Sequence, residues 1–179
     1  MTQVGINYAA GLYDLAKEEN LTQQILQQLQ VLDASFEQEP DFLRLMCTPG
    51  LTKEERCQIL DKSFRESVHI YVLNFLKLLT EKGYARYFSD CRKAYEDRYN
   101  QDNGILPVLA VSAVALSEDQ KTRLTEKLMQ ITGKKVTLTN RIDPACMGGV
   151  RLTYDGNQVD GTVKNRLDTI SNMLKNTVL

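Results

Sequence analysis

The side chains here that can do chemistry are few, and their spacing excludes more than it permits. The 179 residues hold one histidine, His69. Ser/His/Asp and Cys/His nucleophile arrangements need an imidazole to carry the proton, and most zinc sites use one as a ligand, so most common enzyme designs are absent. His69 stands at the start of the most apolar helical stretch, with no acidic neighbour in sequence, and reads as a satisfied helix-end side chain rather than a base. Cys47, Cys57, Cys91 and Cys146 form no Cys-x-x-Cys pair and lie in apolar surroundings. They read as small buried hydrophobes in a reducing compartment. Thr132-Gly133-Lys134-Lys135 imitates the end of a phosphate loop, but the position that needs a glycine, five residues before Gly133, is Leu128. Gly148 and Gly149 lack both dinucleotide-binding spacing and a following helix, so they read as a close-packed turn. No metal and no cofactor is expected.

Charge narrows the partners. Twenty-two Lys and Arg against 23 Asp and Glu leave a net −1, without a basic field for nucleic acid. The aromatic stripe Tyr84, Phe88, Cys91, Tyr95 and Tyr99 is flanked by Arg86, Arg92, Lys93 and Arg98. Asp90, Glu96 and Asp97 nearly cancel those charges, so the stripe reads as core rather than a base-stacking surface. The longest apolar window, Val68 to Leu79, contains Asn74 and Lys77 and is shorter than the ~20 residues a spanning helix needs. The start of the chain carries no basic, apolar leader pattern, and a bacterial chain acting without processing is expected.

These groups sit on two regions. Residues 1–100 hold 12 basic and 15 acidic side chains and four glycines, whereas 101–179 hold ten, eight and six. We place the boundary between domains 1–104 and 105–179. The first region has helical periodicity throughout: Val4, Tyr8, Leu12 and Leu15; then Leu21, Ile25, Leu29, Leu32 and Phe36. A short helix follows from Pro40, another is capped by the Thr52/Glu55 pair, a fifth covers roughly 68–82 and ends at Gly83, and a sixth carries the aromatic stripe. Connections this short predict a six-helix antiparallel bundle. In the second region, strands are expected over 105–114, 136–138, 150–154 and 157–160. A helix capped by Ser117 and Gln120 and a last helix over about 162–178 complete a small sheet with two helices. The fold class is α+β.

Two helices ask for a partner. The first combines Gly5, Ala9, Ala10 and Gly11 with Tyr8, Leu12, Tyr13 and Leu15, so nearly its whole circumference is apolar or small and another helix can approach closely. The fifth is apolar almost all round. Central burial and one wall of a recognition groove are both open to it. Asp at Tyr8 or Leu12 is expected to leave the bundle folded and abolish partner binding.

Several stretches resemble one family, the delta subunit of F-type ATP synthase, whose mitochondrial counterpart is the oligomycin-sensitivity-conferring protein. Tyr8-Ala9-Ala10-Gly11-Leu12-Tyr13-Asp14-Leu15-Ala16 is similar to its first helix, and Asn74-Phe75-Leu76-Lys77-Leu78-Leu79 with Gly83 to its fifth. The more specific set is C-terminal: Val111-Ser112-Ala113, Leu116-Ser117, Ile142-Asp143-Pro144 with Gly148-Gly149, then Val159-Asp160-Gly161-Thr162-Val163 and Leu167. Thr162 stands where the family usually has Ser, which keeps a hydroxyl able to cap a helix.

The resemblance implies a non-catalytic stator subunit that links the alpha/beta catalytic head to the b subunits of the peripheral stalk, coupling rotation to ATP synthesis and proton transport. It implies that the first and fifth helices hold the N-terminal helix of one alpha subunit, through Tyr8, Gly11, Leu12, Leu15, Val72, Phe75 and Leu79. The second domain would meet the stalk through Gly148, Gly149, Asp160 and Leu167. One copy per complex is implied, at the cytoplasmic face of the bacterial inner membrane, peripheral and held there only through the complex. A soluble adaptor that takes an unrelated amphipathic helix into the same groove is the rival reading.

Overall fold

Local signals set the helix ends of the first hundred residues. The Thr2 hydroxyl accepts from the Gly5 N–H and opens α1 (Gln3–Glu18); Asn20, at φ +57°, turns the chain into α2 (Thr22–Gln38). Pro40 occupies the first turn of α3 (Pro40–Cys47), where its missing N–H costs nothing. A reciprocal Thr52/Glu55 capping box starts α4 (Lys53–Phe64). His69 lies just outside α5 (Ile70–Glu81) and caps it, Nδ1 accepting from the Tyr71 N–H at 3.3 Å, so the single imidazole is spent on a helix end. Gly83, at φ +74°, allows the left-handed exit toward a 3-10 turn (Ala85–Tyr87) and α6 (Phe88–Asp102).

The computed structural model describes residues 2–48, 50–163 and 165, and its chain divides into units 1–99 and 100–179. The division falls inside α6, a few residues before the 1–104 boundary expected from composition. In the first unit the six helices share one core. Phe36 stacks on Phe42 at 5.5 Å and meets Phe64 and Phe88 edge-on, joining α2, α3, α4 and α6. Tyr13 and Tyr95 pair edge to face at 5.2 Å, joining α1 to α6. The Tyr95 hydroxyl donates to the Thr22 carbonyl at 3.1 Å, and burial raises its pKa. Gly5 lets α1 lie close against α6: an added Cβ would lie 2.9 Å from Asp90 Cβ. Asp33, almost fully buried, is held by Arg92 at 2.8 Å, which also pairs with Glu96.

The second unit is built on a four-stranded mixed sheet in the order β2-β1-β3-β4. β1 (Ile105–Ser112) runs parallel to β2 (Lys135–Ile142), with α7 (Glu118–Thr132) as the crossover; β3 (Val150–Tyr154) and β4 (Asn157–Asp160) add antiparallel. Leu106, Val108, Val136 and Leu128 form its core. Pro107 is tolerated in a central strand because β3 pairs only from Leu109 onward, so its missing N–H meets an unpaired stretch. Asp155 (φ +49°) and Gly156 (φ +75°) turn β3 into β4, the two positive φ values of a tight hairpin. Altogether the described residues form seven α-helices and four strands, an α+β fold. The last helix expected, over 162–178, falls almost entirely outside the described residues.

One expectation is corrected. Cys91 and Cys146 are buried, but Cys47 is exposed and Cys57 half-buried. The eight-residue α3 buries only Met46 fully, which leaves its final residue on the outer side.

Candidate functional site

An open apolar groove of about 600 Å³ lies between α1 and α5. One wall is Asn7, Tyr8, Gly11, Leu12 and Leu15, the other Tyr71, Asn74, Phe75 and Leu78. Both sets follow helical spacing, so each is one face of its helix. The opposite face of α1 is made of small or tightly packed residues, Gly5, Ala9, Tyr13 and Ala16, which let it lie close to the core while the groove side stays open. The rim is apolar and solvent-facing: Leu15 is 45% exposed and Leu78 41%. Tyr8 is braced edge to face by Tyr84 at 5.8 Å. A Cβ added to Gly11 would meet nothing within 4 Å, so this glycine leaves room in the groove rather than serving internal packing.

Of the residues expected to hold a partner helix, Tyr8, Gly11, Leu12, Leu15 and Phe75 line this groove. Val72 and Leu79 do not. Both are 0% exposed and belong to the core, on the face of α5 that adjoins the groove side. Leu12 lies in the groove floor but is only 5% exposed, so Asp there would enter the core, contrary to the expectation that the fold would tolerate it. Tyr71, Asn74 and Leu78 were missed because α5 is apolar all round, and hydrophobicity then carries no phase. The phase is marked instead by residues with a polar end: Asn74, and Tyr71 three positions earlier, point to the wet side.

In the second unit, Gly148, Gly149 and Asp160 come together in a backbone clasp. Gly149 has φ +78°, and a Cβ there would fall 2.5 Å from the Gly161 carbonyl oxygen and 3.0 Å from Thr162 Cα. The close approach is fastened by Gly161 N–H to Val150 O at 3.1 Å and Val163 N–H to Gly148 O at 3.0 Å. Asp160 Oδ1 accepts from the Thr162 hydroxyl at 2.7 Å and the Thr162 N–H at 2.9 Å, and these bonds hold its carboxyl below the usual carboxylate value. The Thr162 hydroxyl in turn accepts from the Asn165 N–H at 3.2 Å, the pattern of a helix N-cap. Leu167 lies outside the described residues.

Among the described residues there is no group of three or more His, Cys, Asp or Glu side chains placed to hold a metal ion, and no helix long and apolar enough to cross a membrane. What the groove can do is take up an amphipathic helix, burying apolar surface on both sides.

A small helical unit with an open apolar groove is followed by a unit built on a mixed sheet with a clasped glycine pair. The chain belongs to the ATP synthase delta (OSCP) subunit family, which matches residues 4–174. It is similar to the ATP synthase subunit delta of Clostridioides difficile strain 630, 33% identical over 172 residues, covering 96% of this chain and 95% of that one. It is also similar to the sodium ion specific ATP synthase subunit delta of Ilyobacter tartaricus, 32% identical over 169 residues and covering 94% and 97%. A chain of the Toxoplasma gondii mitochondrial ATP synthase hexamer shares the fold, with a TM-score of 0.77 at 15% identity over 97% of this chain and 98% of that one.

Proposed function

We propose that this chain is the non-catalytic stator link of an F-type ATP synthase, holding the alpha/beta head to the b subunits of the peripheral stalk while the rotor turns. The α1/α5 groove carries the reading. Its two facing helical stripes suit the N-terminal helix of an alpha subunit, with Tyr8, Gly11, Leu15, Phe75 and Leu78 against the guest and Leu12 beneath it. The helices form a six-helix antiparallel bundle that serves as the head-binding domain, and the second unit meets the stalk. There Gly148, Gly149 and Asp160 hold the junction that leads into the segment containing Leu167. The work is mechanical: the link resists torque and carries out no bond chemistry. One copy serves each complex, at the cytoplasmic face of a bacterial membrane, and proton flow drives the rotor. The choice of ion is made elsewhere, because the link bears only the reaction force.

The test is calorimetric titration of the full chain with a peptide of the alpha subunit's N-terminal helix from the same genome. Saturable binding with a negative heat-capacity change, the mark of apolar burial, is the expected result. Absence of heat from a chain shown to be folded would sink the assignment of the groove.

A further inference from the structure

The second unit has an open sheet edge that the stator reading does not use. In the order β2-β1-β3-β4, β2 stands at one end. The Lys135 N–H donates to Gly104 O at 2.9 Å, so the Lys135 backbone turns toward β1. By the alternation of a strand, so do the backbones of Thr137, Thr139 and Arg141. The N–H and C=O groups of Val136, Leu138, Asn140 and Ile142 therefore point out of the sheet, and among the described residues no backbone group pairs with them. Four outward donors and four outward acceptors make a template for another strand.

The side chains say what kind of strand fits. On one face of β2, Lys135, Thr137, Thr139 and Arg141 are all exposed. On the other, Val136 is buried in the core and Leu138 packs against it. Lys134 is paired with Asp155 at 3.6 Å, but among the described residues neither Lys135 nor Arg141 has an acidic partner. Two unpaired cations thus stand six residues apart on one face, about 20 Å at ~3.3 Å per residue. A second copy of the chain is a poor occupant. The antiparallel register that pairs all four outward residues, Val136 with Ile142 and Leu138 with Asn140, sets Arg141 opposite Thr137 of the second copy, so that cation meets no carboxylate.

We propose that the β2 edge accepts an extended acidic segment of a partner protein as an added strand, with carboxylates six residues apart meeting Lys135 and Arg141. Hydroxyl or β-branched residues lie between them on that face, and apolar residues lie on the other, beside Val136 and Leu138. The edge selects by charge: an acidic guest gives a carboxylate to both cations, which a second copy of β2 does not.

The probe is the peptide Glu-Val-Thr-Val-Thr-Val-Glu, with Lys at both ends in its control twin, titrated into the full chain and followed by amide NMR and hydrogen exchange. The Glu-ended peptide is expected to protect Val136, Leu138, Asn140 and Ile142, leaving Lys135 and Thr137 unchanged, and to bind at least tenfold tighter than its twin. The double variant Lys135→Glu, Arg141→Glu, both exposed and unpaired and so without effect on folding, should reverse the preference. Equal binding of the two peptides, protection elsewhere, no protection at millimolar peptide, or dimerisation through β2 would each overturn the proposal. None of these outcomes bears on the α1/α5 groove, which lies in the other unit.

Discussion

Replacing Gly11 by Leu is expected to make the protein more stable and its partner binding weaker, a combination that a core residue cannot produce. The stability gain follows from α1 itself. Gly in a helix interior is about 0.8 kcal/mol less favourable than Leu, and an added Cβ at this position meets no atom within 4 Å, so no internal clash offsets the gain. In a unit of about a hundred residues this raises the melting temperature by roughly 4 °C. The binding loss follows from the groove. A guest helix packed against Gly11 must move outward or distort to clear the new side chain, and overpacking of this kind costs about 1–3 kcal/mol. That is about a fivefold to 150-fold loss of affinity, at ~1.4 kcal/mol per decade. Calorimetric scanning measures the first quantity and titration with the alpha-subunit peptide the second. Unchanged affinity would show that the guest does not lie over Gly11, and a lower melting temperature would show that the space beside it is needed for folding.

Gly149→Ala should cost the second unit about 3–4 kcal/mol. Left-handed backbone in a residue with a Cβ costs roughly 1–2 kcal/mol, and relieving the 2.5 Å approach to Gly161 O strains or breaks two hydrogen bonds worth about 1 kcal/mol each; scanning calorimetry should show the second unit's transition lost while the helical unit's remains. Asp160 links the clasp to pH: its folded pKa lies below the ordinary 3.8, so its contribution is present above that value and lost as pH falls through the lower folded one. Asp160→Asn should remove this acid-dependent loss, and parallel acid unfolding curves for wild type and variant would contradict it. Thiol labelling should modify Cys47 first. Cys91, buried with its pKa pushed up to about 12, should react only after unfolding; its early labelling would refute the packing of α6.

Much of the helical unit was legible because its signals are local. Thr52 with Glu55, Pro40 and Gly83 each act within one turn, and each stands where its physics demands. The two sides of α5 were not legible. A helix with Val72, Leu76 and Leu79 in the core, Leu78 on the rim and Phe75 between them shows no hydrophobic contrast, and only its neighbours decide which side is wet. The parallel pairing of β1 with β2 was equally hidden, because strand patterning records which residues face the core but not which strand lies alongside. The Gly148-Gly149 pair announced a tight turn without announcing what it touches. The residues over it, Gly161 and Thr162, come a dozen positions later, and their role appears only when the chain returns.

The parallel pairing of β1 also orders events during synthesis. The helical unit closes when α6 emerges, since Tyr95 must meet Tyr13 and Asp90 must meet Gly5; its contacts then need nothing further from the ribosome. β1 follows at once, yet its partners begin only at Lys135 and Val150. At about 5–20 residues per second, this apolar strand waits several seconds without a neighbour. A nascent chain would thus hold a finished groove while its sheet is still unmade, and the step most in need of chaperone protection is the one between residues 112 and 150.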